Sequence, residues 1–267
     1  MQTQQDPFAT FGTSHQVVIA ILIAGAIALV CAGRTLRGTG SVTVSRGLSV
    51  AIVLGTGPLQ LLYLTPAHID PQHTLPLQLC DLASMVAAYA LWTHQPWATS
   101  LTYYWGLTLT PQAVILPSLA HAFPDPRFFL FWTMHVLIIW AAVYLTWGVG
   151  LSPTWRTYRT SLAVTATWAI TVICFNLVAD TNYGYLNAKP DGPSTLDLLG
   201  DWPTYLLSEV VVVATIWALI TLPWVKTHEE ATEPSEPPSL CRMPGAASDA
   251  RSPKPAPARA GCRRRLP

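Results

Sequence analysis

The sequence predicts an all-α protein, a polytopic transmembrane bundle of about seven spanning helices. Three observations carry that reading. Charged residues make up only 11% of the chain and hydrophobic ones 51%, whereas soluble globular domains carry about 25% charged residues. Seven stretches are long and apolar enough to span, and the positive residues between them fall on alternate sides.

A helix crossing ~30 Å of hydrocarbon needs about 20 predominantly apolar residues. The stretches are 15–33, 47–64, 75–92, 98–119, 128–150, 160–179 and 203–225. Backbone polar groups in lipid must be satisfied within the segment, so each stretch is expected to be helical. The linkers agree: Gly38 and Gly40, Leu151-Ser-Pro-Thr and Phe123-Pro-Asp-Pro126 are turn-formers. Pro111 and Pro117 lack N–H donors and should free the carbonyls of Leu107 and Ala113.

Positive charge predicts orientation. Arg34, Arg37, Arg46, Arg156, Arg159 and the eight Lys and Arg after residue 225 fall on one side. Only Arg127 and Lys189 fall on the other, with Asp70, Asp125, Asp180, Asp191, Asp197 and Asp201. Thirteen positive residues against two predict an outside N-terminus and a cytoplasmic C-terminus. The expected organisation is a short extracytoplasmic segment 1–14, a seven-helix domain 15–225 and a disordered basic, Pro-rich tail 226–267. Arg263-Arg264-Arg265 in that tail would touch anionic headgroups or simply be solvated. No Lys or Arg precedes the first apolar run, so a cleavable signal peptide is not expected. No internal repeat is evident, which disfavours a transporter built from inverted halves. The formal charge of +1 gives no reason to expect a nucleic-acid partner.

Polar side chains inside a membrane are costly and usually face the bundle interior or a water-filled cavity. Gln60, Gln78, Asp81, Gln112, His135, Asn176 and Glu209 all lie within the expected spans, each in the outer half. At about 1.5 Å per residue, Asp81 and Glu209 would sit roughly 9 Å deep and His135 roughly 10 Å deep. The expectation is one polar chamber near the outer surface. Interhelical hydrogen bonding is the plainer alternative, at ~0.6–1.7 kcal/mol each.

The five cysteines (31, 80, 174, 241 and 262) show no metal-type spacing. A disulfide framework is not expected, nor is a cofactor. Cys80 is predicted at nearly the depth of His135. A neutral imidazole in reach would take the thiol proton, with Asp81 or Glu209 orienting the ring. By residue type, zinc on Cys80, His135 and Asp81 or Glu209 is open too, although the clustered spacing of zinc motifs is absent. In the loop 180–202, Asn182, Tyr183, Lys189 and Asp197 read as a lid or headgroup contact; alternatively the loop is an interfacial plug, with Tyr183, Tyr185 and Trp202 anchored at headgroup depth.

Four segments occur in an order that resembles a known family. They are Leu75-Pro-Leu-Gln-Leu-Cys80; Tyr104-Trp-Gly106 with Thr110-Pro-Gln112; Phe128-Phe-Leu-Phe-Trp-Thr-Met-His135; and Asn182-Tyr-Gly-Tyr-Leu-Asn-Ala-Lys-Pro190 continuing through Leu196-Asp-Leu-Leu-Gly-Asp-Trp-Pro203. Over residues 15–225 the chain is similar to the YwaF-like bacterial integral-membrane family. It is more distantly similar to a vertebrate cysteine-dependent transmembrane acyltransferase of ether phospholipids. That resemblance implies Cys80 as acyl-accepting nucleophile and His135 as general base. The chain departs from the pattern at Gln78, where members often carry His. Two functions follow as expectations. One is an intramembrane Cys/His acyltransferase or lipid hydrolase of the bacterial cytoplasmic membrane, using outer-leaflet lipids as substrate. The other is a non-catalytic binder or carrier of a cation, proton or small ligand. Gln78, Gln112, Asn176, Asn182, Tyr183, Lys189 and Asp197 are the expected substrate contacts.

Overall fold

A computed structural model describes residues 8–36, 38–63, 74–117, 119, 122–190 and 194–232. The regular structure among them is helical: α1 (Thr13–Thr35), α2 (Thr39–Tyr63), α3 (Leu79–Thr93), α4 (Pro96–Tyr104), α5 (Thr110–Ile115), α6 (Pro126–Val143), α7 (Trp155–Ala179) and α8 (Thr204–Thr232). A π-helical turn, Trp105–Leu109, joins α4 to α5 as one rod, and a second, Tyr144–Val149, extends α6. The described residues therefore form seven rods.

Four of them are long and apolar enough to cross a membrane: Thr13–Thr35, Pro126–Val149, Trp155–Ala179 and Thr204–Val225, at mean hydropathy 2.0 to 2.5. The protein is a multi-pass membrane protein. The expected seven spans are reduced by this measure to four, with Leu79–Thr93 a shorter apolar helix. The expected span 75–92 starts late because residues 74–78 are not helical. At the other end of the chain, α8 continues to Thr232, beyond the expected boundary at 225. The tail 233–267, Arg37, Asp70 and Asp191 lie outside the described residues.

Local chemistry explains the rods. Pro111 has no N–H to give, and the backbone ahead of it relaxes into the π turn, where the Thr110 N–H reaches the Trp105 carbonyl. Asp125 caps α6 by accepting from the Arg127 N–H at 2.8 Å, with Pro126 as the first helical residue. Thr154 and Thr157 form a reciprocal capping box at the start of α7. His94, in the left-handed region, ends α3 one residue before the Gln95 cap of α4.

Helix association in lipid rests on close packing and hydrogen bonds, because lipid is as apolar as leucine. Here α6 is the central post, with 56% of its span buried against 6% for α1. The α1 helix lies so close to it that a Cβ at Gly25 would fall inside the Trp140 ring, and one at Gly33 would lie 2.5 Å from the Gly148 Cα. Polar clips join the other rods. Ser45 and Ser49 donate to the α3 carbonyls of Leu91 and Ala88 at 2.5 and 2.8 Å. The Tyr104 and Thr221 hydroxyls meet at 2.7 Å, and Trp217 donates to Thr108 at 2.9 Å. The rods alternate in direction, so Arg34, Arg46, Arg156 and Arg159 gather at one end of the bundle. Asp125, Asp180, Asp197 and Asp201 gather at the other.

The contact at Gly33 is testable. Gly33→Ala should cost about 1–3 kcal/mol through overpacking, read as a lower thermal midpoint in detergent. Gly47→Ala, where an added Cβ meets nothing within 4 Å, should leave the midpoint unchanged or raise it. Equal midpoints for the two variants would refute the α1–α6 packing.

Candidate functional site

The α3 helix begins inside the bundle. The Leu77 carbonyl accepts from Trp168 Nε1 at 3.1 Å, and Trp168 lies eleven residues before the end of α7 at Ala179. That is about 16 Å along the helix axis. Irregular backbone at such depth is tolerated only where protein satisfies its polar groups. Here the protein does so. The Leu75 N–H donates to the Tyr183 hydroxyl at 3.1 Å, and the Gly184 N–H donates to Gln78 Oε1 at 3.1 Å.

The loop 180–202 supplies most of these partners because one buried amide organises it. Asn176 Oδ1 accepts from the Tyr183 N–H at 2.9 Å and from the Thr181 hydroxyl at 2.8 Å. Its Nδ2 donates to the Tyr183 carbonyl and to Asn187 Oδ1, both at 3.0 Å. Asn182 bonds within the loop, through its Nδ2 to the Ala188 carbonyl at 2.8 Å and its Oδ1 to the N–H groups of Asn187 and Ala188. Asp197 closes a capping box with Ser194, and Lys189 pairs with Asp201 at 3.4 Å and Asp197 at 3.8 Å. Tyr183 is fully buried between the loop and the α3 lead-in.

Several of the expected substrate contacts are held by bonds within the protein. Asn176, Asn182, Tyr183 and Gln78 are occupied in building a plug, with Lys189 and Asp197 bracing its rim. Of the aromatic residues expected at headgroup depth, Tyr183 is instead an internal prop. Gln112 is exposed and donates to the Thr108 carbonyl of its own rod at 3.3 Å, so it does not line an interior chamber. Gln60 is half-buried on α2.

Cys80 and Asp81 occupy the first turn of α3. Asp81 is therefore the third helical residue, not the sixth or so, the position from which a capping-box carboxylate reaches back to the N-cap. Leu79, Leu82 and Ala83 of the same turns share an apolar cluster with Met134 and Ile138 of α6. Cys80 is partly exposed.

His135 lies on α6 nine residues after Pro126, about 14 Å along the axis. It is 2% exposed, with the Phe131 ring 4.2 Å away. Its Nδ1 sits 2.7 Å from the Phe131 carbonyl. A carbonyl only accepts, so Nδ1 carries the proton and Nε2 keeps the lone pair. The ring is thus oriented by a backbone carbonyl and not by Asp81 or Glu209. Glu209 is half-buried on the inward stripe of α8 that runs through Leu206, Val213 and Trp217. No hydrogen bond joins Cys80 to His135. Among the described residues no three of His, Cys, Asp and Glu converge closely enough to hold a metal ion. Two cavities, of about 570 and 400 Å³, lie away from all these residues.

A family profile described as the TMEM164 family matches residues 10–221. The chain belongs to the TMEM164 family. The TMEM164 match spans the bundle from before α1 into α8, and so includes Cys80, His135, Glu209 and the plug. No curated protein and no solved structure matches the chain.

Sequence reasoning passed over Trp168 and His15. Trp168 reads as one more apolar residue of a span; only its position near mid-helix, away from both interfaces, hints at an indole partner inside the membrane. His15 is fully buried, accepting from the Phe11 N–H at 2.9 Å and bonding the Val114 carbonyl at 2.8 Å. It ties the start of α1 to the end of α5.

Replacing the organising amide tests the plug. Asn176→Leu keeps the volume but strands the Tyr183 N–H and carbonyl, at about 1–3 kcal/mol for each buried orphan. The expected result is a lower thermal midpoint with new protease cleavage between residues 180 and 202. An unchanged midpoint and an uncut loop would show that the amide is dispensable.

Proposed function

We propose that this chain is an intramembrane acyltransferase with Cys80 as nucleophile and His135 as general base, drawing a phospholipid substrate from the leaflet at the Asp-rich end. The observation that carries the reading is the tautomer of His135. Its Nδ1–H is committed to Phe131, which leaves a buried Nε2 lone pair on a helix packed against the first turn of α3. In the reaction Nε2 takes the Cys80 proton and the thiolate adds to the ester carbonyl. The ester C–O bond breaks, and the departing lysolipid oxygen takes the proton back from the imidazolium. An acceptor hydroxyl then gives its proton to Nε2 and attacks the thioester, and the Cys80 sulfur leaves and is reprotonated. With water as acceptor the same steps are hydrolysis.

Membership of the TMEM164 family supports the reading through the acyltransferase that the Cys80 and His135 segments resemble; the YwaF-like segments suggest a bacterial branch. The distribution of thirteen positive residues against two supports a cytoplasmic basic end and an outside N-terminus, in a bacterial cytoplasmic membrane. Asp81 and Glu209 then act on helix capping and on the inward face of α8, outside the proton-transfer pair. The second reading, a binder or carrier of a cation, proton or small ligand, is favoured by the inward Glu209 and by the lack of a bond between thiol and imidazole.

Proteoliposomes containing an alkyne-tagged acyl phospholipid and a lysolipid acceptor separate the two. The enzyme reading predicts a hydroxylamine-sensitive tag on Cys80 and transfer to the lysolipid. Cys80→Ala should abolish both, and His135→Ala should slow transfer by about 10²–10⁴. Transfer that survives Cys80→Ala, or no transfer by the wild type with any glycerophospholipid donor, would remove the enzyme reading and leave the carrier.

A further inference from the structure

The larger cavity lies at the end of the bundle opposite the plug, where α1 ends, α2 begins and the π turn of α6 closes. Its volume is about 570 Å³, within the ~300–1,000 Å³ usual for small-ligand sites. Gly33 and Gly148 belong to its lining, and their backbones touch so closely that no Cβ fits at Gly33. Arg34 and Ser41 supply the polar lining, and Leu36 and Val149 the apolar part.

Arg34 is an exposed residue of this lining. Its Nε donates to the Trp147 carbonyl at 3.2 Å, which orients the guanidinium plane while both Nη groups stay uncommitted to other described residues. A guanidinium tethered at Nε, with both Nη groups open, matches the oxygens of a phosphate in a bidentate pair. Arg46, Arg156 and Arg159 at the same end raise the local concentration of anions. Leu36 and Val149 suit the apolar part of an ester on that phosphate.

We propose that this cavity is a phosphate-binding site, taking the phosphate of an anionic lipid headgroup or of a soluble phosphate, with Arg34 as its principal ligand. The site is separate from Cys80 and His135 and does not depend on acyl transfer.

The test uses the full chain in nanodiscs, in two arms. In discs with equal phosphatidylglycerol and phosphatidylcholine, native mass spectrometry reads which lipid stays bound. In pure phosphatidylcholine discs, thermal unfolding is followed with inorganic phosphate against chloride at equal ionic strength. Preferential retention of phosphatidylglycerol assigns the site to a headgroup; stabilisation by inorganic phosphate assigns it to a soluble phosphate. Either result should fall about tenfold in apparent affinity in Arg34→Gln and be lost in Val149→Trp, which fills the cavity and leaves Arg34 in place. Absence of both signals in the wild type, or survival of the signal within twofold in whichever variant folds, would overturn the proposal.

Discussion

The structure depends on satisfying a stretch of irregular backbone in the interior of a membrane protein. Residues 74–78 reach the level of Trp168 before α3 starts, and no water is available there to take their N–H and carbonyl groups. Trp168 donates to the Leu77 carbonyl and the Tyr183 hydroxyl accepts from the Leu75 N–H, while the Gln78 side chain in turn accepts from the Gly184 N–H of the plug. Removing any one of them would leave a polar group bare in an apolar surround.

That constraint explains features that look unrelated along the chain. The α3 helix is only 15 residues long because its first part is spent on the descent. The connection between α7 and α8 is long because it must fold back into the bundle, and Asn176 holds its shape with four hydrogen bonds. Gly184 adopts a positive φ of 69° with the Trp168 ring 2.9 Å from where a Cβ would sit, so the plug and the α3 lead-in share one indole as their floor. The first turn of α3, with Cys80 and Asp81, is delivered to the interior as a consequence. His135 reaches its own depth by a different route, as the ninth residue beyond Pro126 on the central post.

Much of the bundle was legible in the sequence. Apolar length located all seven rods to within a few residues at most ends, because a helix satisfies its own backbone in apolar surroundings. The Pro, Gly and Thr residues marked the breaks. The failures share one cause. Residues 75–78 are as apolar as a helix start, and hydropathy cannot distinguish a helix from an extended segment buried by protein. The same ambiguity hides the partners of the polar side chains. Asn176 and Gln78 were legible as costly intramembrane amides, yet their partners are backbone groups that composition does not reveal. Gln112 occurs in a motif but faces outward, since the π turn Trp105–Leu109 shifts the helical phase just ahead of it. The candidate pair was legible as residue types; the Phe131 carbonyl that fixes the imidazole tautomer was not, because every helical residue has a carbonyl four positions before it.

Depth at Cys80 is the quantity that decides the account. With Cys80 as the sole cysteine, carrying a small fluorophore, quenching by lipids bearing nitroxides at the headgroup or midway along the acyl chain measures it. A helix that starts beside Trp168 predicts stronger quenching from the mid-chain nitroxide. Strongest quenching from the headgroup nitroxide would put the start of α3 at the membrane surface and contradict the buried lead-in.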